Sequence, residues 1–341
     1  MKTDKILLDH GSGGLATKNL IEDVFMKRLA NPFLSPMEDS AVLELPPGKL
    51  AFTTDSFVID PVFFPGGDIG SLAIHGTVND LSMQGACPLF LSLGLILEEG
   101  LEMAELEKIA QSLAQAAQEA GVTIVTADTK VVGKGQADKI FINTSGIGII
   151  EKGIGEIGID RASPGDVVIV SGYIGDHGAS ILLARSGLPF ESQILSDSAP
   201  LNTLVDDMLK CVPSGVLRLL RDPTRGGVAT VLNEIAQASG VDIKIQEEQI
   251  PIRGEVQGVC ELLGLDPLYL ANEGKCIVVV DKDYADSLLS VMRRHKFGKN
   301  ATIIGHIEEK AAHQPKVLLQ TNIGGLRIVP VLTGEPLPRI C

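Results

Sequence analysis

Aspartates beside turns and at strand ends are the residues best placed to do chemistry: Asp39 in PMEDSAV, Asp55 in FTTDSF, Asp80 in TVNDLS, Asp128 in TADTK and Asp222 in RDPTRGG. Hard cations such as Mg²⁺ take oxygen ligands and usually bridge one or two carboxylates to substrate phosphates, so five such residues could gather around one nucleotide. Aspartate is also an ordinary turn and cap residue, and each of the five taken alone reads more simply that way. Asp80 stands apart. It follows Asn79 inside an otherwise apolar helical stretch, where a carboxylate costs stability unless it is partnered.

Two glycine-rich segments could hold an anion. In DPTRGG (222–227), Gly226 and Gly227 precede an amphipathic helix, and free N–H groups at the helix start together with the Arg225 guanidinium suit a phosphate. An ordinary helix cap with a surface arginine has the same spelling. HGSGG (10–14), with His10, Gly11, Gly13 and Gly14, is either a second ligand loop or a flexible lead-in.

Of the five cysteines, Cys87 and Cys276 flank apolar strands and Cys260 sits in an apolar helix, which predicts inert core thiols. Cys211 ends a helix with no base nearby in sequence. Cys341 differs in kind: it is the last residue, among Pro336, Pro338 and Arg339, where nothing local would bury it. An exposed free thiol is either accidental or in use.

The elements that must position these groups read as alternating strands and helices. Strand 51–59, helix 68–86, strand 91–97, helix 102–120 and strands 122–132 and 140–150 fill the first half. A Ser-Pro-Gly-Asp turn within RASPGDVVIVSG (161–172) then opens a second run: a short apolar strand ending in Gly, helices near 176–186, 200–211 and 227–239, strands 241–245 and 275–281, helix 283–295 and strand 301–307. This predicts a two-domain α+β or α/β chain: 1–155, 156–328, and a proline-containing extended, mobile tail over 329–341.

Composition narrows the partners. The 341 residues carry 29 Lys plus Arg against 43 Asp plus Glu, a net charge of −14, which repels nucleic acid and anionic membranes, so any nucleotide must be held locally. No apolar run approaches the roughly 18 to 20 residues of a membrane span. The start MKTDKILLDH is not an apolar signal segment, and sparse cysteines without CxxC spacing fit a reducing cytoplasm. No P-loop, HExxH or zinc-spaced Cys/His set occurs, and the GxGxxG at 153–158 lies in a polar loop that opens no helix.

Taken together, HGSGG, FTTDSFVIDPVFFPGGDIGSLAIHGTVNDLSMQGACP, ADTKVV, RDPTRGGVATVLNEIA, LANEGK and the terminal PRIC resemble one family over essentially the whole chain. It is the HypE carbamoyl dehydratases of nickel–iron hydrogenase maturation, within the aminoimidazole ribonucleotide and selenophosphate synthetase superfamily. The resemblance implies an N-terminal domain whose strands pair with a second subunit into a β-barrel, ATP in a cleft at that homodimer interface, and a C-terminal α/β sandwich. By the same resemblance Asp39, Asp55, Asp80 and Asp222 surround Mg²⁺ and the phosphates, while Asp55, Thr77, Asn79, Asp128, Thr129, Arg225, Gly226, Gly227 and the HGSGG loop form parts of the ATP site.

It also implies that a partner, HypF, places a carbamoyl group on the Cys341 sulfur, that ATP-dependent dehydration turns it into thiocyanate, and that the cyanide passes to iron on HypC–HypD. The tail would alternate between inward and outward poses. Such a reaction needs a base near the carbamoyl nitrogen. Glu273 is the candidate, with Lys130 as charge stabiliser or alternative proton carrier. The competing reading is a superfamily relative that phosphorylates a free small molecule, and a third is a scaffold with a docking tail. A selenophosphate synthetase would carry Cys or selenocysteine in the glycine-rich loop, whereas the first cysteine here is Cys87.

Overall fold

The computed structural model describes residues 4–186, 193–311, 314–334 and 339–341. An N-terminal segment of short helical turns, including α1 (Leu15–Leu20), a π-helical turn (Ile21–Met26) and α2 (Lys27–Leu29), leads to strands β1 (Lys49–Phe57), β2 (Phe63–Phe64) and β3 (Gly67–Asp68). Then come α3 (Ile69–Met83), β4 (Cys87–Glu98), α4 (Met103–Ala120), β5 (Thr123–Val132) and β6 (Ile140–Ile150). Four of these strands form a sheet in the order β1-β6-β4-β5. Only the β4/β5 pair is parallel, because α4 supplies the crossover that parallel neighbours require. Asp68 starts α3 by accepting from the N–H groups of Gly70 at 2.7 Å and Ser71 at 3.1 Å. Gly121, in the left-handed region at φ 70°, ends α4.

α3 and α4 cover one face of this sheet. The other face is largely open: Phe52, Ile147 and Phe90 form one cross-strand row on it, and Leu50 (57 %), Phe52 (66 %) and Ile96 (42 %) are exposed there. The register puts Asp128 opposite Gly94 and Lys130 opposite Ile96, so both share this open face. Among the described residues no closed barrel forms within a single chain.

The second half contains β7 (Val167–Val170), α5 (Asp176–Ser186), α6 (Asn202–Cys211), β8 (Leu217–Arg221), α7 (Gly227–Ser239), β9 (Asp242–Gln246) and α8 (Gly254–Leu263). It continues with β10 (Ile277–Val280), α9 (Ala285–Arg294), β11 (Thr302–Glu308), β12 (Val317–Gln320) and β13 (Leu326–Val329). The seven strands are ordered β13-β12-β9-β11-β7-β10-β8. Strand alternation fills both faces: Ile277 and Val279 of β10 pack with Val228, Leu232 and Ile235 of α7, while Val278 and Val280 pack with Leu204 and Met208 of α6 and Leu288 and Met292 of α9. Among the described residues no helix is long and apolar enough to cross a membrane.

Candidate active site

The two halves meet where α3, the segment after β8 and the loop before β10 converge. Asp80 lies on α3 and accepts from Thr53 Oγ1 at 2.9 Å. Burial, then the charges of Asp222 and Asp55, push its carboxyl up to about 7. Asp55, on the helix-facing side of β1, and Asp222, just after β8, are likewise raised, burial being the main cause in each. Asp222 keeps some accessible surface, yet its recessed position lets burial dominate.

Glu273 is buried at 3 % exposure, and its Oε1 has no hydrogen-bond partner among the described residues. Burial and the charges of Asp197, Asp222, Asp55 and Asp80 raise its carboxyl well above the ordinary range. Its backbone is tightly held. Asp197 accepts from the N–H groups of Glu273 at 3.1 Å and Gly274 at 3.3 Å and pairs with Lys275 Nζ at 3.0 Å. Burial alone would raise the Asp197 carboxyl, but Lys275 and His177 bring it below its usual value. Gly274 is required there, because a Cβ would sit 1.8 Å from the Asp197 carbonyl.

Cys341 reaches this cluster. Its thiol is shifted strongly upward, by burial first and by the Glu273 carboxylate next. The residues before it explain why. Val58 N–H donates to the Cys341 carbonyl at 3.1 Å, Asp60 N–H to the Arg339 carbonyl at 3.4 Å, and Arg339 Nε to the Val58 carbonyl at 3.1 Å. Arg339 also pairs with Asp138 at 2.8 Å, and the Ile340 side chain is 3 % exposed in the first-half core. The expectation of a tail with no anchor and an exposed thiol is therefore corrected for residues 339–341: Ile340 supplies apolar burial, and backbone pairing with residues 58–60 fixes its register. The expected tail residues Pro336 and Pro338 lie outside the described residues, and Val329 belongs to β13.

Other expected site residues fall elsewhere. Asp39 is exposed and makes no hydrogen bond or ion pair among the described residues. Asp128, Thr129 and Lys130 lie on β5, three strand spacings (about 14 Å) from Asp55 on β1. With Gly11 and Gly13 they line a cavity of about 350 Å³ roofed by apolar residues of the N-terminal segment, including Ile21, Phe25 and Leu29. Lys130 Nζ pairs with Asp128 at 2.8 Å. His10 turns back to accept from Leu7 N–H at 2.9 Å, and Gly14 caps α1.

Thr77 and Asn79, expected to touch nucleotide, are buried and committed to protein partners. Thr77 bonds Thr144, while Asn79 Nδ2 donates to the Ala199 and Glu273 carbonyls at 3.0 and 3.3 Å and its Oδ1 accepts from Leu201 N–H at 2.8 Å. Arg225 is exposed and its charge acts on Asp55 and Cys341. The glycines beside it serve packing: a Cβ on Gly227 would lie 2.5 Å from the Leu268 carbonyl, and one on Gly226 would meet the Thr230 hydroxyl. Cys260 and Cys276 are buried thiols, pushed up by burial to about 11 and about 12, whereas Cys87, expected in the core, is exposed at the start of β4.

Comparison with known proteins decides the family. Residues 37–150 match the model of the AIR synthase related protein N-terminal domain, and 163–317 that of its C-terminal domain. The chain is 50 % identical over 341 residues to the carbamoyl dehydratase HypE of Azotobacter vinelandii, covering 100 % of this chain and 98 % of that protein. The chain belongs to the HypE family. A HypE crystal structure in complex with ATP shares its fold at a TM-score of 0.94 and 50 % identity, over 98 % of this chain and 99 % of that one. The HypE of a HypE–HypF complex matches at 0.80 and 50 % identity, over 92 % and 99 %. Within this HypE fold, Asp197, Lys275 and His177 escaped sequence reading. Each acts through a contact distant along the chain, and no local pattern marks it.

Among the described residues no three His, Cys, Asp or Glu side chains converge closely enough to hold a metal by themselves. The donor chemistry still fits Mg²⁺ shared with phosphate. Asp55, Asp80 and Asp222 are hard oxygen ligands whose mutual repulsion, seen in their raised carboxyls, a divalent cation would relieve.

Proposed function

We propose that this protein uses ATP to dehydrate an S-carbamoyl group on its own Cys341 to a thiocyanate, the source of the cyanide ligands of nickel–iron hydrogenase. The observation that carries this is the docking of the tail so that Cys341 lies within electrostatic reach of the buried Glu273 carboxyl, whose Oε1 has no hydrogen-bond partner among the described residues. A substrate delivered on the chain itself needs such an inward seat; a free small molecule does not. Likeness to an ATP-bound HypE supports ATP as the phosphoryl donor.

Hydroxide is a poor leaving group, so the carbamoyl oxygen first attacks the γ-phosphorus and ADP departs. The resulting S–C(OPO₃)=NH loses phosphate as its remaining N–H proton leaves, giving S–C≡N. Nitrogen surrenders two protons in all, and the carbamoyl oxygen departs on phosphate. Glu273 is the proposed base: its charge reaches the Cys341 thiol, its Oε1 has no hydrogen-bond partner among the described residues, and it combines high proton affinity with burial. Asp55, Asp80 and Asp222 would hold Mg²⁺, which when bound offsets charge on the transferring phosphoryl. Asp39 is a further proposed ligand of the same ion. Incubating carbamoylated protein with Mg-ATP is expected to remove about one water's mass (roughly 18 Da) from the peptide ending at Cys341. No loss would overturn the reading.

The sheet geometry favours a homodimer. Residues expected at ATP are split between β1 and β5 at opposite edges of one sheet, and the open face between them is apolar, so a second copy packed on that face would set β1 of one chain toward β5 of its partner and close the barrel. Lys130 would then act across the interface as charge stabiliser. Phe52→Asp is expected to shift the protein to monomer in sedimentation and to weaken ATP binding at least tenfold; a dimer of unchanged stability would rule this surface out. We further assign HypF as the carbamoyl donor enzyme, on the likeness to the HypE–HypF complex, and HypC–HypD as the cyanide acceptor. Five free cysteines fit a cytoplasmic setting. Residues 1–155 are the proposed ATP-binding and dimerisation unit and 156–328 the supporting α/β unit.

A further inference from the structure

We infer that His177 is a positioning residue: its imidazole latches the backbone of the tail at Ile340 and so helps to set where the Cys341 sulfur sits relative to the acidic cluster. The inference rests on the tail reading given above. His177, on α5, is fully buried, with Nε2 at 2.8 Å from the Ile340 carbonyl and Nδ1 at 2.8 Å from Ser196 Oγ. A carbonyl can only accept, so Nε2 carries the ring proton and Nδ1 accepts from the Ser196 hydroxyl. Ser198 N–H donates to Ser196 Oγ at 3.1 Å, which leaves that hydroxyl's proton for the ring. The tautomer is thus set by a relay that ends on the residue before Cys341. Phe64 meets the ring edge-on, with centroids 5.6 Å apart at 89°, and fixes its plane.

The neighbouring residues make the arrangement specific. Three consecutive side chains hold three parts of the site: Ser196 orients the latch, Asp197 holds the Glu273 backbone, and Ser198 Oγ lies 3.0 Å from His75 Nδ1 on α3. The latch and the base are therefore referenced to one short segment. Losing the Nε2–H bond leaves Ile340 its apolar pocket and the tail its backbone pairing with residues 58–60, but removes the polar contact that ties the Ile340 carbonyl to α5, so the tail leaves its seat more often.

The test is alkylation of the full-length protein by N-ethylmaleimide with peptide mapping, so that exposed Cys87 and buried Cys276 serve as internal references. His177→Phe keeps a ring but no donor. It is expected to speed modification of Cys341 roughly three- to tenfold, the worth of one net hydrogen bond, with Cys87 and Cys276 unchanged. His177→Gln, which retains an N–H donor, is expected to restore much of the protection. In carbamoylated protein His177→Phe is expected to slow water loss while nucleotide affinity holds. Unaltered Cys341 protection in His177→Phe overturns the latch. If that variant loosens Cys276 as well, Ser196→Ala decides: selective exposure of Cys341 supports the latch, and none refutes it. Absence of water loss from wild-type protein would instead defeat the function reading, and the alkylation pattern would still judge the latch.

Discussion

Replacing Cys341 by alanine is expected to abolish thiocyanate formation and carbamoyl-dependent ATP turnover while leaving nucleotide binding intact. The sulfur is the proposed covalent carrier, so no neighbouring group can substitute for it as a matter of degree. Cys260 and Cys276 are buried thiols held protonated by their surroundings. Cys87 and Cys211 are accessible, but the charges that act on them are Asp206, Asp207, Glu151, Lys210 and Arg294, none of which belongs to the acidic cluster. Removing a partly buried sulfur leaves the Val58 and Asp60 backbone bonds in place, so the change in melting temperature should be small. Mass spectrometry of every cysteine peptide, with ATP binding by calorimetry, checks this. Water loss on another peptide, or unchanged turnover, would sink the assignment.

Glu273→Gln is expected to slow thiocyanate formation about 10²- to 10⁴-fold in single turnover with ATP affinity near wild type, since it removes a base and preserves shape. A normal rate would exclude Glu273. The same substitution has a stability signature of definite sign. The folded protein holds the Glu273 proton more tightly than the unfolded chain does, because burial and four aspartates oppose its charge. The stability this contributes is complete below the ordinary glutamate range and is lost as pH rises through the elevated folded value. Glutamine has no proton to lose. The melting temperature of the variant relative to wild type should therefore climb as pH rises above the ordinary glutamate range in ligand-free protein, and a difference independent of pH would contradict the burial argument.

Much of the framework was legible because its signals are local. The helix read over 68–86 forms over Ile69–Met83, since its cap at Asp68 and its apolar run are both written in adjacent residues. Asp80 stood out as a carboxylate in an apolar stretch, and its environment is as costly as that implied. The β12–β13 pair and the helical turns after HGSGG were not anticipated, being short segments whose pairing depends on neighbours far along the chain. The docked tail was missed for a sharper reason. The backbone of residues 339–341 is held by His177 of α5 and by Val58 and Asp60, more than 150 positions away, and no pattern within PRIC announces it. The burial of Thr77 and Asn79 and their bonds to Thr144, Ala199, Leu201 and Glu273 were not legible in the sequence, since those partners lie far along the chain.

Asn79 has a consequence beyond the site. Its amide is spent on Ala199, Leu201 and the Glu273 backbone, so a helix of the first half and a loop of the second satisfy each other's buried polar groups. Separating the halves would strand those groups without partners, at a cost that neither piece could recover alone. The two sheets thus belong to one cooperative folding unit, and the reacting groups sit on its seam. A change at Asn79 would be felt as a shift in how the base is aimed, because one of its bonds ends on the Glu273 carbonyl.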